Sequence, residues 1–335
     1  MRASIIGTGL HVPERVVDNE EIAGRLGLDP QQIFRSSGIR RRRWAAPNTK
    51  TSSLGSTALR NALRSAGLGS SDIDYLLFGT MTPDRFIPGS SPSVQHDLGL
   101  NEIPCLDIRA TCCSLLYALQ IATALVDSGL VRNVAVCCAD IQSPWLELTP
   151  ESGTTSMLFG DGASALIVSA EERERSLRIL SVELATDGAY LDDLGVRCPG
   201  TEFGNPRSHS STSDTKDYAP RMAGQSVIVN ASRRMTAICK TLLSKHGLSA
   251  GDIRWIVPHQ ANANLLAQVA RSLGFPLDGD GVISVIEDFG NTSSASMGMA
   301  LDTLGRSGRI QPNDYLLLPA FGAGFTWGAA LLQCT

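Results

Sequence analysis

The feature that most constrains the fold is a duplication. Gly67-Leu68 followed by Asp72-Ile73-Asp74-Tyr75-Leu76-Leu77 is echoed 180 residues later by Gly247-Leu248 and Asp252-Ile253-Arg254-Trp255-Ile256-Val257, with the same internal spacing. A second echo lies near the end of each half. Phe159-Gly160-Asp161-Gly162 precedes the apolar run 165–168, and Phe321-Gly322-Ala323-Gly324 precedes 328–332. Internal repetition limits the architecture before any local reading does. The chain therefore reads as two related halves, residues 1–172 and 173–335, meeting at the charged run 171–175.

Within the halves, short β-rich runs alternate with helical patterns. Ser4-Ile5-Ile6, Tyr75-Leu76-Leu77-Phe78 and Val134-Ala135-Val136-Cys137-Cys138 read as strands, and residues 19–26, 54–66 and 112–126 as helices. This rhythm predicts an α/β fold with mainly buried strands. Gly7-Thr8-Gly9 lacks the third glycine of a dinucleotide fingerprint, where Val12 stands, and reads as a strand-to-loop turn. The polar stretch 200–220 has no periodicity and reads as a long surface loop or cap.

Composition narrows the function classes. With 29 Lys and Arg against 33 Asp and Glu, the net charge of −4 provides no basic field for nucleic acid. The longest charge-free apolar stretch, 110–126, has 17 residues. That is short of the roughly 20 needed to cross a bilayer, so it reads as a buried helix and no membrane span is expected. The first apolar run stops at Gly7, too short for a signal peptide core. Eight cysteines are too sparse for a disulfide scaffold, which points to the reduced cytoplasm. There is no Cys-x-x-Cys, and the five histidines show no close His/Cys ligand spacing. Neither a metal nor another cofactor is expected.

Three residues stand where chemistry is possible. Cys112 opens the buried helix pattern after Asp107-Ile108-Arg109-Ala110-Thr111, where backbone N–H groups and the helix dipole would favour a thiolate. The same context also suits an inert, packed cysteine. His259, in Val257-Pro258-His259-Gln260-Ala261-Asn262, ends a buried strand at the position where open α/β sheets bind ligands; a satisfied core histidine is the competing reading. Asn291, in Phe289-Gly290-Asn291-Thr292-Ser293, leads into a small-residue helix over 294–301 and could equally be a turn or cap residue.

Together these contexts resemble the β-ketoacyl-ACP synthase III group of the thiolase superfamily. The likeness spans essentially the whole chain: Ser37-Gly38-Ile39-Arg40, the segment 107–119, Phe159-Gly160-Asp161-Gly162-Ala163, Pro258-His259-Gln260-Ala261-Asn262, Gly290-Asn291-Thr292-Ser293 and Phe321-Gly322-Ala323-Gly324-Phe325-Thr326-Trp327-Gly328. The resemblance implies a duplicated, five-layer αβαβα thiolase-like fold, a homodimer and a Cys112-His259-Asn291 triad. Cys112 would take an acyl group from an acyl-CoA or acyl-ACP donor. The N–H groups of Cys112 and Ala323 would form the oxyanion hole. His259 and Asn291 would then hold the carbonyl of malonyl-ACP or malonyl-CoA during loss of carbon dioxide. Arg40, Phe86, Asn262 and Phe321 are the substrate-binding candidates, Phe86 by likeness to an aromatic that reaches the partner subunit's acyl pocket.

The likeness has gaps. A tryptophan that stacks on the coenzyme A adenine is replaced by Gln32, the arginine on its other face by Ser152, and two basic carrier-docking residues by Asn264 and Val229. Base stacking contributes on the order of 1–3 kcal/mol, so an acyl carrier protein donor gains weight. The run Arg40-Arg41-Arg42-Arg43 could meet phosphopantetheine or an acidic carrier surface through Arg40, or form a solvated face. Two alternatives remain: acyl transfer to an oxygen, nitrogen or sulfur acceptor without condensation, and a catalytically silent partner subunit. A papain-like protease also uses Cys, His and Asn, but the duplicated halves do not suit it.

Overall fold

The computed structural model describes residues 3–203, 215–276 and 280–335. Most of the polar stretch 200–220 lies outside the described residues. Nine strands form one sheet. From edge to edge they are Ile253–Ile256, Tyr315–Gly322, Thr326–Cys334, Leu177–Thr186, Ser4–His11, Gly162–Ser169, Asn133–Asp140, Tyr75–Gly79 and Cys105–Ile108. The junction at its centre is thin: Ser4 faces Arg178 and Ile5 faces Leu177.

Outwards from that junction the two sides repeat one order. Each runs first, last, last but one and second strand in chain order, antiparallel twice and then parallel. The third strand of one side, Cys105–Ile108, corresponds on the other to a single parallel bridge between Ile256 and Val282. The turns of the sequence repeat are built alike. Gly67 and Gly247 follow their helices with φ of 62° and 66°. Just beyond, the Asp72 carboxylate accepts from Gly69 N–H and the Asp252 carboxylate from Ser249 N–H, each at 2.7 Å.

Three apolar clusters give the layering. Helix Thr51–Ala66 buries Leu54, Ala58, Leu59 and Ala62 against one face of the first group of strands. Helices Gly224–Lys245 and Ala263–Leu273 cover the far face of the second group. Between the two groups lie helices Ser114–Asp127 and Ser296–Arg306, with Leu115, Leu116, Leu119, Met299, Leu301 and Leu304 completely buried. Each such side chain contributes about 1.5–3 kcal/mol on burial. The result is the expected αβαβα layering of the thiolase-like α/β fold.

Local departures have physical causes. Helix 19–26 occurs as Asn19–Leu26, capped by Asp18, whose carboxylate accepts from Glu21 N–H. The helix expected over 112–126 instead begins with a 3₁₀ turn, Thr111–Cys113, and becomes α-helical at Ser114. Thr111 at φ 51° cannot extend the helix backwards. Gly7-Thr8-Gly9 is not a strand-to-loop turn: the first strand continues through it to His11. The glycines admit helix Thr51–Ala66, because a Cβ on Gly9 would stand 2.4 Å from Ala58 O and from Ala62 N. No helix among the described residues is long and apolar enough to cross a membrane.

Candidate active site

The site is built where two tight turns meet in the middle layer. Thr111–Cys113 opens one central helix and Ser293–Ala295 opens the other. Thr111 and Ser293 both adopt left-handed backbone, at φ 51° and 50°, a conformation that non-glycine residues hold mainly where the surroundings enforce it. Across the gap Cys112 Sγ lies 3.6 Å from Ser293 Oγ. Gly322 closes the third side. A Cβ there would come within 2.3 Å of Thr111 Oγ1 and 3.0 Å of Cys112 N, so the strand end can abut the cysteine only as glycine.

Cys112 is half-buried, whereas Cys113 is fully buried with its thiol directed at Thr326 O, 3.4 Å away, a packing role. Burial pushes the Cys112 thiol up to about 11; the Ser293 hydroxyl opposes the rise and the Asp140 charge adds to it. Desolvation is the largest influence on this thiol and acts against the helix-terminus effect that favours a thiolate.

His259 follows strand Ile253–Ile256 and continues its pairing, donating its N–H to Pro319 O at 2.9 Å. The ring is buried, with Nδ1 2.7 Å from Ser296 Oγ. Desolvation lowers its pKa to about 4, so the imidazole is neutral at pH 7. Asn291 is buried and bridged to Phe159: its N–H donates to Leu158 O at 2.8 Å and its C=O accepts from Gly160 N–H at 3.0 Å. Its side-chain oxygen accepts from Ser293 N–H at 2.9 Å, which leaves Nδ2 free to donate.

The three sequence candidates therefore meet on one segment, 291–296. Asn291 begins it, Cys112 touches Ser293 and His259 touches Ser296. Asp140, which sequence reasoning missed, fixes this segment from behind. Its fully buried carboxylate accepts from Ser294 Oγ at 2.6 Å, Ser294 N at 3.0 Å and Met81 N at 2.6 Å. Burial raises its pKa and these donors counteract the rise.

The other candidates fall into two groups. Phe321 is buried and packs on Phe325 at a ring distance of 4.8 Å, one residue before the critical Gly322. Ala323 C=O accepts from Thr111 Oγ1 at 3.1 Å, so the glycine loop is tied to the turn that carries Cys112. Arg40, Asn262 and Phe86 have other neighbours. Arg40 pairs with Glu287 at 2.7 Å and lies over the Phe34 ring. Asn262 caps helix Ala263–Leu273, accepting from Asn264 N–H at 2.9 Å, and donates to Ser36 O. Phe86 is 68% exposed at the rim of a cavity of about 170 Å³, lined also by Pro83, Pro88, Ile108 and Arg109. Within the arginine run, Arg41 pairs with Asp288, whereas Arg42 is fully buried and donates to Asn19 Oδ1 and Met157 O, both at 2.8 Å. The run fastens the turn that precedes Asn291 rather than forming one open patch. Among the described residues no cluster of three or more His, Cys, Asp and Glu side chains is arranged to hold a metal ion.

A duplicated five-layer α/β fold in which a cysteine and a buried histidine converge on a central segment that carries an asparagine is the architecture of a thiolase-fold condensing enzyme. The comparisons narrow the class. Residues 106–188 match the family model described as 3-oxoacyl-[acyl-carrier-protein (ACP)] synthase III, and 243–334 match its C-terminal model. The β-ketoacyl-[acyl-carrier-protein] synthase III of Erythrobacter litoralis is 39% identical over 334 residues, covering 99% of both chains. That of Chlamydia caviae is 36% identical over 332 residues, covering 99% of this chain and 97% of its own. Among solved structures, 3-oxoacyl-[acyl-carrier-protein] synthase III from Aquifex aeolicus superposes with a TM-score of 0.89 at 30% identity, covering 99% of both chains. The priming β-ketosynthase of the R1128 polyketide pathway superposes with a TM-score of 0.89 at 32% identity, covering 99% of this chain and 96% of its own. The chain belongs to the β-ketoacyl-ACP synthase III family of acyltransferase-type condensing enzymes.

The raised thiol pKa gives a direct test. Because the thiolate is lost as pH falls below about 11, alkylation of Cys112 by iodoacetamide should rise about tenfold per pH unit from pH 7 to 9. Peptide mass spectrometry measures it, and a plateau already reached at pH 8 would show a sulfur ionised at rest.

Proposed function

We propose that the protein lengthens an acyl chain by decarboxylative condensation, with Cys112 as nucleophile and His259 and Asn291 as carbonyl donors. The observation that carries this reading is the convergence of all three on segment 291–296. In the first step Cys112 Sγ attacks a thioester carbonyl. The C–S bond to the donor breaks and the thiol proton leaves with the departing sulfur, so a neutral thiol is replaced by a neutral thiol. The N–H groups of Cys112 and Ala323 would hold the oxyanion, a role that Gly322 supports by letting the two loops abut.

In the second step the malonyl thioester oxygen accepts from His259 Nε2–H and Asn291 Nδ2–H. Loss of carbon dioxide leaves an enolate on that oxygen. Its carbon attacks the acyl carbonyl, and Cys112 departs and regains a proton from water, giving a 3-oxoacyl thioester two carbons longer. Donors fixed in a dry site stabilise developing charge without reorganising, which favours a neutral imidazole over a solvated one.

An acyl carrier protein as donor and malonyl carrier fits the altered coenzyme A positions. Gln32 is exposed, and Ser152 is bound into its own turn with its hydroxyl on Glu147 O and Thr149 O. At the two carrier-docking positions Val229 is exposed and Asn264 donates to Arg35 O and Ser36 O, so a carrier protein would meet a surface without the usual basic pair. The second reading keeps the acyl-Cys112 step and transfers the group to an oxygen, nitrogen or sulfur acceptor without condensation. The two-half division at 172/173 and a cytoplasmic location belong to the proposal.

Carbon dioxide release from labelled malonyl carrier protein separates the readings. Wild type should release it, and Cys112→Ala should gain no acyl mass. Asn291→Ala should slow release by about a hundredfold, as expected for loss of one oxyanion donor. Rapid acyl transfer with no carbon dioxide would overturn condensation, and absence of any acyl mass on wild type would mark a silent subunit.

A homodimer is the second part of the proposal. Strand Cys105–Ile108 is a sheet edge next to the nucleophile turn, Leu106 on it is 41% exposed, and Phe86 and Ile87 project from the adjoining loop. An uncovered edge with apolar side chains favours strand addition by a second copy. Light scattering should give twice the chain mass, and Leu106→Lys should shift the protein towards monomer. A wild-type monomer at micromolar concentration would refute the assignment.

A further inference from the structure

The two equivalent turns use the hydroxyls that follow them differently. Ser114, after Thr111–Cys113, donates to Thr111 O at 2.8 Å and accepts from Ala110 N–H at 3.1 Å, so it closes its own turn. Ser296 stands at the corresponding place after Ser293–Ala295, yet its Oγ faces the neighbouring strand end: 2.7 Å from His259 Nδ1 and 3.1 Å from Gln260 N. Both Ser296 and His259 are buried, 1% and 2% exposed.

We propose that Ser296 is a positioning residue for His259, whose hydroxyl donates to Nδ1 and so keeps the ring proton on Nε2. The argument is a count of hydrogens. Gln260 N–H can only donate, so Ser296 Oγ is its acceptor. Among the described residues the hydroxyl hydrogen then has one acceptor, Nδ1. If Nδ1 carried the proton, two donors would point at the same oxygen and the buried hydroxyl hydrogen would have no acceptor among the described residues. Such an unmet buried donor is costly enough to decide between tautomers. Burial keeps the ring neutral, so one nitrogen alone carries hydrogen at pH 7.

The consequence is a division of labour. A ring with Nε2–H is a hydrogen-bond donor and not a base at that nitrogen, so His259 serves the enolate oxygen and leaves the Cys112 proton to the departing thiol. The catalytic part of this inference rests on the proposed condensation; the tautomer assignment does not.

Long-range ¹H–¹⁵N NMR of the full-length protein labelled at histidine nitrogen reads the tautomer, with the His259 signals identified by their loss in His259→Ala. Wild type should show Nε2–H, Ser296→Ala a population of Nδ1–H, and Ser296→Thr the wild-type pattern. In parallel, Ser296→Ala should slow carbon dioxide release about tenfold more than it slows acyl loading of Cys112, and Ser296→Thr should restore the ratio. Nδ1–H in wild type would overturn the inference. So would a Ser296→Ala protein that keeps both Nε2–H and the wild-type ratio. If Ser296→Ala does not fold, the wild-type and Ser296→Thr spectra decide. Wild type with Nε2–H but no carbon dioxide release would uphold the tautomer and defeat the condensation reading.

Discussion

The structure depends on one meeting: the turns Thr111–Cys113 and Ser293–Ala295 face each other across the central helix layer, with Cys112 Sγ and Ser293 Oγ 3.6 Å apart. Each turn comes from a different part of the repeat, and neither could hold its left-handed residue alone. Asp140 binds the second turn from the end of a first-group strand, and Gly322 lets a second-group strand end press on the first turn. The junction strands pair only briefly, so the buried helices and these turns carry much of the link between the two groups of strands.

Electrostatically, burial disfavours charge on both the Cys112 sulfur and the His259 ring. A thiolate–imidazolium pair would have to form in a low-dielectric interior, where an isolated charge is expensive. Hydrogen-bond donors fixed by Ser293 N–H and by Ser296 suit negative charge that appears only transiently.

The fold was largely legible because its signals are local. The left-handed glycines after two helices and the Asp72 and Asp252 turns write the duplication into short motifs that a single sequence displays. Cys112, His259 and Asn291 were legible as residues, through the motifs around them. What the chain alone could not display depends on three-dimensional neighbours. The dipole that favours a thiolate can be read from sequence, whereas the burial that opposes it cannot. Four consecutive arginines look like one patch, yet the pleat of strand Arg41–Arg43 turns Arg42 inward and leaves Arg41 outside. Ser296 looks like any small residue at a helix start until its hydroxyl is seen on His259. Gly7-Thr8-Gly9 looks like a turn in the sequence because a helix packed on a strand leaves the same glycine trace.

The most direct test of the account is a crystal structure of the enzyme acylated on Cys112 with a malonyl thioester analogue that cannot lose carbon dioxide. The account predicts the analogue's thioester oxygen within hydrogen-bond distance of His259 Nε2 and Asn291 Nδ2, with its methylene carbon facing the acyl carbonyl. An oxygen bound elsewhere, or an acyl group on a residue other than Cys112, would contradict it.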